Sequence, residues 1–473
     1  MAADESVLGG RRLELVMRRE VERSIEALRH LPVGDLAARE HVRVVRDVVA
    51  SAGDEELLAV LRLLDRLDVD APHVDAALEM VRTASEPTAR RRALAELRSA
   101  LEPARDRVLS HLAGPPGELR LVVDLRATLL RFTPNGESGE FAALDDDMRL
   151  FLASRFDVGM LELRRLTWQD SAALLERLAR SEAVHAVRGW FDLKDRLDED
   201  RRVYAFFHPA LPETPLAFTE VALTEETPGA IRAILNRDAA PVDPAQARCA
   251  TFYSITSAER GLAGIPLGNA LIKRCVEQLR ADLPRLRTFA TLSPMPGFAG
   301  WLRSRGEALP AAVRRALATP GWQRDAALAA ELREPLMRLG ARYLLAAKRA
   351  DGAPRDPVER FHLGNGASAD RLNWLGDPSA NGLERACGLM VNYRYALDRV
   401  ATNQVAYAAE HRIAASAAVR ALAAAAEEDE AAALDTPQPP LGRFIAALRT
   451  LPGRFRRRRS LDATGSSMVR SPQ

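Results

Sequence analysis

Thr251-Phe252-Tyr253-Ser254-Ile255-Thr256, followed by Gly261-Leu262-Ala263-Gly264-Ile265-Pro266-Leu267-Gly268-Asn269, is the stretch whose reading decides the fold. The first six residues are β-branched and aromatic, as in a buried strand. After the glycine-rich turn, Leu267, Leu271, Cys275, Leu279 and Leu283 stand four apart, backed by Ile272 and Val276, which is the period of an amphipathic helix. Arg287–Ser293 (RTFATLS) then reads as the next strand. A crossover helix of this length joins parallel or splayed neighbours, so strand, loop, helix and strand predict a mixed α/β domain.

Upstream, Leu161–Trp168, Val203–His208 and Leu216–Leu223 read as further strands, and Ser171–Ser181 as a helix. Before about Phe156 the grammar is helical. Leu13, Met17, Val21, Ile25 and Leu28 recur at helical spacing, as do Leu57, Val60, Leu61, Leu64 and Leu67, then Leu94, Leu97 and Leu101, then Val108 and Leu112. Pro72, Pro87 and Gly114-Pro115-Pro116-Gly117 punctuate them. The expected architecture is α+β: an all-helical bundle over 1–155, a mixed α/β domain over 156–415, and an alanine-rich helix end with a basic tail over 416–473. In that tail Phe444 to Leu451 suggests a short amphipathic helix before Arg456-Arg457-Arg458-Arg459. Its composition gives little apolar surface to offset ordering entropy, so residues after about 430 are expected to be dispensable.

The 473 residues are 47 % hydrophobic and 28 % charged, enough for a sizeable core. A formal charge of +2 is too balanced for a dedicated nucleic-acid binder. Cys249, Cys275 and Cys387 are widely spaced and odd in number, which fits a reduced compartment and no disulfide framework or zinc site. No stretch has the length of a membrane span. The first residues lack a signal or transit pattern and the last ones a peroxisomal tripeptide, so a cytoplasmic location is expected.

Three segments carry candidate chemistry. Residues 261–269 follow a strand and open a helix, where unpaired amides and a partial positive charge suit a phosphate and glycines let the backbone come close. The spacing matches neither a P-loop nor a dinucleotide fingerprint, and a plain tight turn explains the glycines equally well. Leu292-Ser293-Pro294-Met295-Pro296-Gly297-Phe298 places the Ser293 hydroxyl at a strand's carboxyl end, where ligands collect in α/β sheets. Phe361-His362-Leu363-Gly364-Asn365-Gly366-Ala367 sets His362 in what reads as an exposed glycine- and asparagine-rich loop, a position for proton transfer. Val391-Asn392-Tyr393-Arg394-Tyr395 adds two phenols and an arginine.

FYSIT–GLAGIPLG–LIKR, LSPMPGF, FHLGNGA, NWLGD (373–377) and CGLMVNYRYAL (387–397), in this order, resemble the malonyl-CoA decarboxylase family. The resemblance extends from the helical first third to about residue 410. It implies a helical N-terminal domain, a catalytic domain of the GNAT acyltransferase type, and tetrameric assembly. It also implies that Ala263, Gly264, Ile265, Pro266, Leu267, Gly268 and Asn269 contact coenzyme A, that Ser293 and His362 form the catalytic pair, and that Tyr395 supports them. Pro266 has no amide hydrogen and can only line the loop. Malonyl-CoA and acetyl-CoA are the implied ligands. No metal or organic cofactor is expected, because the thioester carbonyl is itself the electron sink. Two other readings share the coenzyme loop: a GNAT-type N-acyltransferase, and an inactive coenzyme A-binding scaffold. The first would not call for the LSPMPGF and FHLGNGA segments, and the second would not call for both Ser293 and His362.

Overall fold

The computed structural model describes residues 18–114, 119–133, 139–236 and 241–435. Eight helices come first: α1 (18–30), α2 (Ala38–Ser51), α3 (Asp54–Asp65), α4 (Ala71–Thr83), α5 (Pro87–Ala100), α6 (Ala104–Leu112), α7 (Leu119–Phe132) and α8 (Ala142–Arg155). Their apolar stripes build the core as the spacing requires: Val42, Val45 and Val48 of α2 and Leu57, Val60, Leu61 and Leu64 of α3 are all buried. Helix α5 departs from its expected stripe. Leu94 and Leu101 are exposed, and Ala93 and Ala100 are buried instead. The α4–α5 hairpin packs closely through small side chains, which turns the leucines outward.

The second part opens with β1 (Glu162–Leu166), α9 (Ala172–Ser181), α10 (Trp190–Arg196), β2 (Arg201–Phe207), β3 (Ala217–Thr224) and α11 (Ile231–Leu235). It continues with β4 (Cys249–Ser257), α12 (Leu267–Asp282), β5 (Thr288–Thr291) and the short β6 (Ser293–Pro294). Helices α13 (Phe298–Arg305), α14 (Ala311–Ala318), α15 (Ala326–Ala346) and α16 (Pro357–Gly364) follow. The last elements are β7 (Ser368–Asn373), α17 (Ala380–Ala386), β8 (Met390–Arg394), α18 (Val400–Glu410) and α19 (Ala417–Asp435).

All eight strands join one sheet in the order β1-β2-β3-β4-β5-β8-β6, with β7 also paired to β8. β1 to β4 form an antiparallel meander, and β4 and β5 are parallel across the α12 crossover. Their register runs from Cys249↔Thr288 to Phe252↔Thr291 and stops there, although β4 continues to Ser257. The two strands therefore splay apart at the carboxyl end of β4. This is the mixed, splayed sheet expected of an acyltransferase-type domain, and the strands part beside the glycine loop.

Helix α19 packs on α15, burying Val419, Ala423 and Ala426, and Arg338 of α15 holds Asp429 at 2.9 Å. The helix runs to Asp435, past residue 430, where the sequence suggested the dispensable segment starts. Val419→Asp should therefore lower the melting temperature by several degrees, because it places a charge in that interface. The Phe444–Leu451 segment, the arginine run, Leu13, Met17 and Pro115–Gly117 lie outside the described residues.

Candidate active site

Thr291 ends β5 and Ser293 begins β6, so their side chains lie at the point where the sheet opens. The Ser293 hydroxyl donates to Thr291 Oγ1 at 2.9 Å and lies 3.0 Å from His362 Nε2. On the other side of the ring, His362 Nδ1 is 2.9 Å from the Tyr395 hydroxyl. Since Ser293 gives its hydrogen to Thr291, the neutral imidazole is the Nε2–H tautomer: it donates to Ser293 Oγ and accepts from Tyr395. The result is one chain of donors from Tyr395 through His362 and Ser293 to Thr291. Sequence reading missed Thr291, whose oxygen also receives the Tyr393 backbone amide.

His362 is neither in a loop nor exposed. It lies in the last turn of α16 and is buried. The glycine- and asparagine-rich segment is the helix's C-terminal cap: Asn365, Gly366 and Ala367 return their amides to the carbonyls of Phe361, His362 and Leu363. Gly366 sits at φ +81°, and a Cβ there would come within 2.1 Å of the Val400 carbonyl oxygen. Asp356 caps the other end of α16, accepting the amides of Val358 and Glu359. Its second oxygen takes the Gly297 amide at 3.3 Å and the Tyr343 hydroxyl at 3.2 Å. The helix that carries His362 is thereby tied to the turn that follows Ser293. Gly297 serves this contact, because a Cβ would lie 2.2 Å from the Tyr343 hydroxyl. Asp-Pro is a helix-start signal that sequence reading passed over here, and no local pattern points to its tie to Gly297.

The Tyr393 ring stacks on His362 with centroids 4.6 Å apart and planes inclined by 27°. Burial pushes the imidazole pKa down to about 3 and the Tyr395 phenol well above its ordinary value. The ring is therefore neutral near pH 7 and presents its N–H to Ser293. We expect kcat/KM to show no inflection from this histidine between about pH 5 and 8, measured as a pH–rate profile. Stability should fall as the pH drops below the ordinary value of 6.5, because only the unfolded chain takes up the proton until about pH 3.

The glycine loop lies at the carboxyl end of β4, and its seven candidate residues behave differently. Ala263, Gly264 and Pro266 are exposed, Ile265, Gly268 and Asn269 are half-buried, and Leu267 is in the core. Gly264 takes φ +80°. Gly268 lets α12 approach Phe361, whose ring would be 3.0 Å from a Cβ there. Asn269 accepts a hydrogen bond from Asn365 at 2.8 Å, which links the start of α12 to the cap of the His362 helix. The amides of Leu262, Ala263, Ile265 and Leu267 are used within the loop. Those of Gly264, Gly268 and Asn269 have no acceptor among the described residues. They are available to an anion at the N-terminus of a 16-residue helix.

A family model described as the malonyl-CoA decarboxylase C-terminal domain matches residues 159–433, and that of the N-terminal domain matches residues 67–156. The mitochondrial malonyl-CoA decarboxylase of Anser anser anser is 35% identical over 422 residues, covering 81% of this chain and 82% of the relative. That of Rattus norvegicus is 34% identical over 359 residues, covering 69% and 73%. Among solved structures, malonyl-CoA decarboxylase from Rhodopseudomonas palustris is similar with a TM-score of 0.77 and 39% identity, over 85% of this chain and 99% of that one. The enzyme from Agrobacterium vitis gives 0.78 and 38% over the same shares. With both domain models matched end to end along most of its length, the chain belongs to the malonyl-CoA decarboxylase family.

Proposed function

We infer that this protein converts malonyl-CoA to acetyl-CoA and CO₂. The observation that carries the mechanism is the buried donor chain Tyr395–His362–Ser293, set at the splay of the sheet beside an anion-accepting loop. The bond between the carboxylate carbon and the α-carbon breaks, and its electron pair moves into the thioester carbonyl as an enolate. One proton must then reach the α-carbon. The α-carbon takes the Ser293 hydroxyl proton as Ser293 takes the Nε2 proton of His362 and Nδ1 takes that of Tyr395. After product leaves, a solvent proton delivered to Ser293 runs the chain back and restores the Nε2–H tautomer and the phenol. No imidazolium accumulates at any point. The buried site keeps the donors in fixed directions, which is worth more than the same groups in water. No step requires a metal or organic cofactor. The three free, buried cysteines support a reduced, cytoplasmic setting, and we assign a homotetramer by family resemblance.

Incubation with malonyl-CoA, with and without an amine acceptor, tests the reading. Acetyl-CoA and CO₂ in equal amounts, independent of the amine, are expected. An acylated amine would favour the acyltransferase, and coenzyme A binding without turnover the scaffold. Gly264→Val should raise KM strongly with kcat little changed, because a side chain at φ +80° is strained and occupies the phosphate's place. Unchanged coenzyme A affinity by calorimetry would reduce the loop to a turn.

A further inference from the structure

The helical domain reaches into the coenzyme loop. Arg126 of α7 is buried, and its Nη1 donates to the carbonyl oxygens of Gly261 at 2.8 Å and Ala263 at 2.7 Å. Its Nε donates to Asp145 of α8 at 2.8 Å. Gly261 packs so closely on α7 that a Cβ would stand 2.0 Å from the Val123 carbonyl oxygen. Arg260 donates to the Leu130 carbonyl, and Arg120 pairs with Glu259 at 3.2 Å. From the next helix, the Arg149 side chain passes 3.3 Å from where a Cβ would stand on Gly264. Its recorded ion pair is with the exposed Asp146, at 3.1 Å.

These contacts divide the loop's polar groups between two directions. The carbonyls of Gly261 and Ala263 are drawn toward Arg126, inside the domain interface. The free amides of Gly264, Gly268 and Asn269 belong to the half-open side, where Gly264 and Pro266 are exposed. A carbonyl released from Arg126 and turned outward would oppose an anion at the same place. Arg149, partly exposed and bonded to the exposed Asp146, has its side chain beside Gly264, and a guanidinium is the group that suits phosphate oxygens.

We propose that the coenzyme's phosphates are held between the two domains, with Arg126 a positioning residue that fixes the glycine loop and Arg149 a direct phosphate ligand. This rests on the reading of the chain as an enzyme of coenzyme A thioesters. The helical domain then contributes to substrate affinity as well as to support and assembly.

The test compares malonyl-CoA with malonyl-pantetheine, a thioester that lacks all the phosphates, and measures coenzyme A binding by calorimetry. In Arg149→Met, kcat/KM for malonyl-CoA should fall about 10- to 100-fold through KM, as for loss of a charge-assisted hydrogen bond. The value for malonyl-pantetheine should not move, and coenzyme A affinity should fall by the same factor. Arg126→Met should show the same substrate selectivity, and Arg126→Lys should recover part of it. Arg149 is partly exposed, so its variant folds even where an Arg126 variant does not. Equal losses on both thioesters, or no loss in Arg149→Met, would overturn the proposal. A wild-type protein that binds coenzyme A but turns over neither thioester would instead remove the decarboxylase reading, and calorimetry would still decide the arginines' role.

Discussion

His362→Asn should lower kcat by about 100- to 10,000-fold, the usual contribution of a positioned proton-transfer group, while coenzyme A affinity stays near wild type. Ser293→Ala should do the same, since Ser293 Oγ lies between the imidazole and the open side of the splayed strands, 3.0 Å from Nε2. Neither substitution touches the glycine loop. The two groups serve one transition state, so the double variant should be little worse than the poorer single one. Tyr395→Phe removes the hydrogen bond to Nδ1 and leaves the ring, and it should give a smaller loss. In D₂O each acetyl-CoA should carry one solvent deuterium. Wild-type turnover in His362→Asn would show that the proton takes another route.

The second large effect concerns stability. Arg196 of α10 and Glu220 of β3 are both almost wholly buried, with Arg196 Nη1 3.1 Å from Glu220 Oε2. Arg196 also holds Asp192 at 3.0 Å and the His185 carbonyl at 2.8 Å. Burial pushes the Glu220 carboxyl up to about 8 even with the Arg196 guanidinium opposing that shift. Arg196→Met would leave the buried Glu220 carboxyl and the His185 carbonyl without their donor inside the fold, which typically costs about 1–3 kcal/mol for each unmet group. The denaturation midpoint should drop accordingly, and adding Glu220→Gln should recover part of the loss. If the midpoint of Arg196→Met is unchanged, the pair contributes nothing to the fold.

The candidate-site segments stood out in the sequence because each combines a turn signal with one chemically active side chain. LSPMPGF reads as the end of one strand, whereas β5 stops at Thr291 and Ser293 opens β6. FHLGNGA offers a histidine among glycines and an asparagine. What misled was the second: Gly364, Asn365 and Gly366 suggest an exposed loop, whereas they cap a helix and leave His362 buried. A cap and a loop share the same residues, since both need left-handed or side-chain-bonded backbone. Leu94 and Leu101 misled for another reason. Their spacing suits a buried stripe, but Ala93 and Ala100 allow the closer helix contact.

The sequence by itself determined the strands β1 to β5 with α9 and α12 between them, the change from helical to mixed character near Phe156, and the family to which the motifs belong; β7, β8 and the helices from α13 to α18 were not read from it. What it determined follows from periodicity and from local backbone preferences, which act over a few residues. Tertiary structure alone decided what those residues meet. Ser293 on Nε2 of His362, Tyr395 on Nδ1 of the same ring and Asp356 on Gly297 each join segments far apart in the sequence. Arg126 reaches the glycine loop across 135 and 137 residues of chain. A hydrogen bond requires about 3 Å and a set direction, and no pattern within one segment specifies either for a partner that far along the chain.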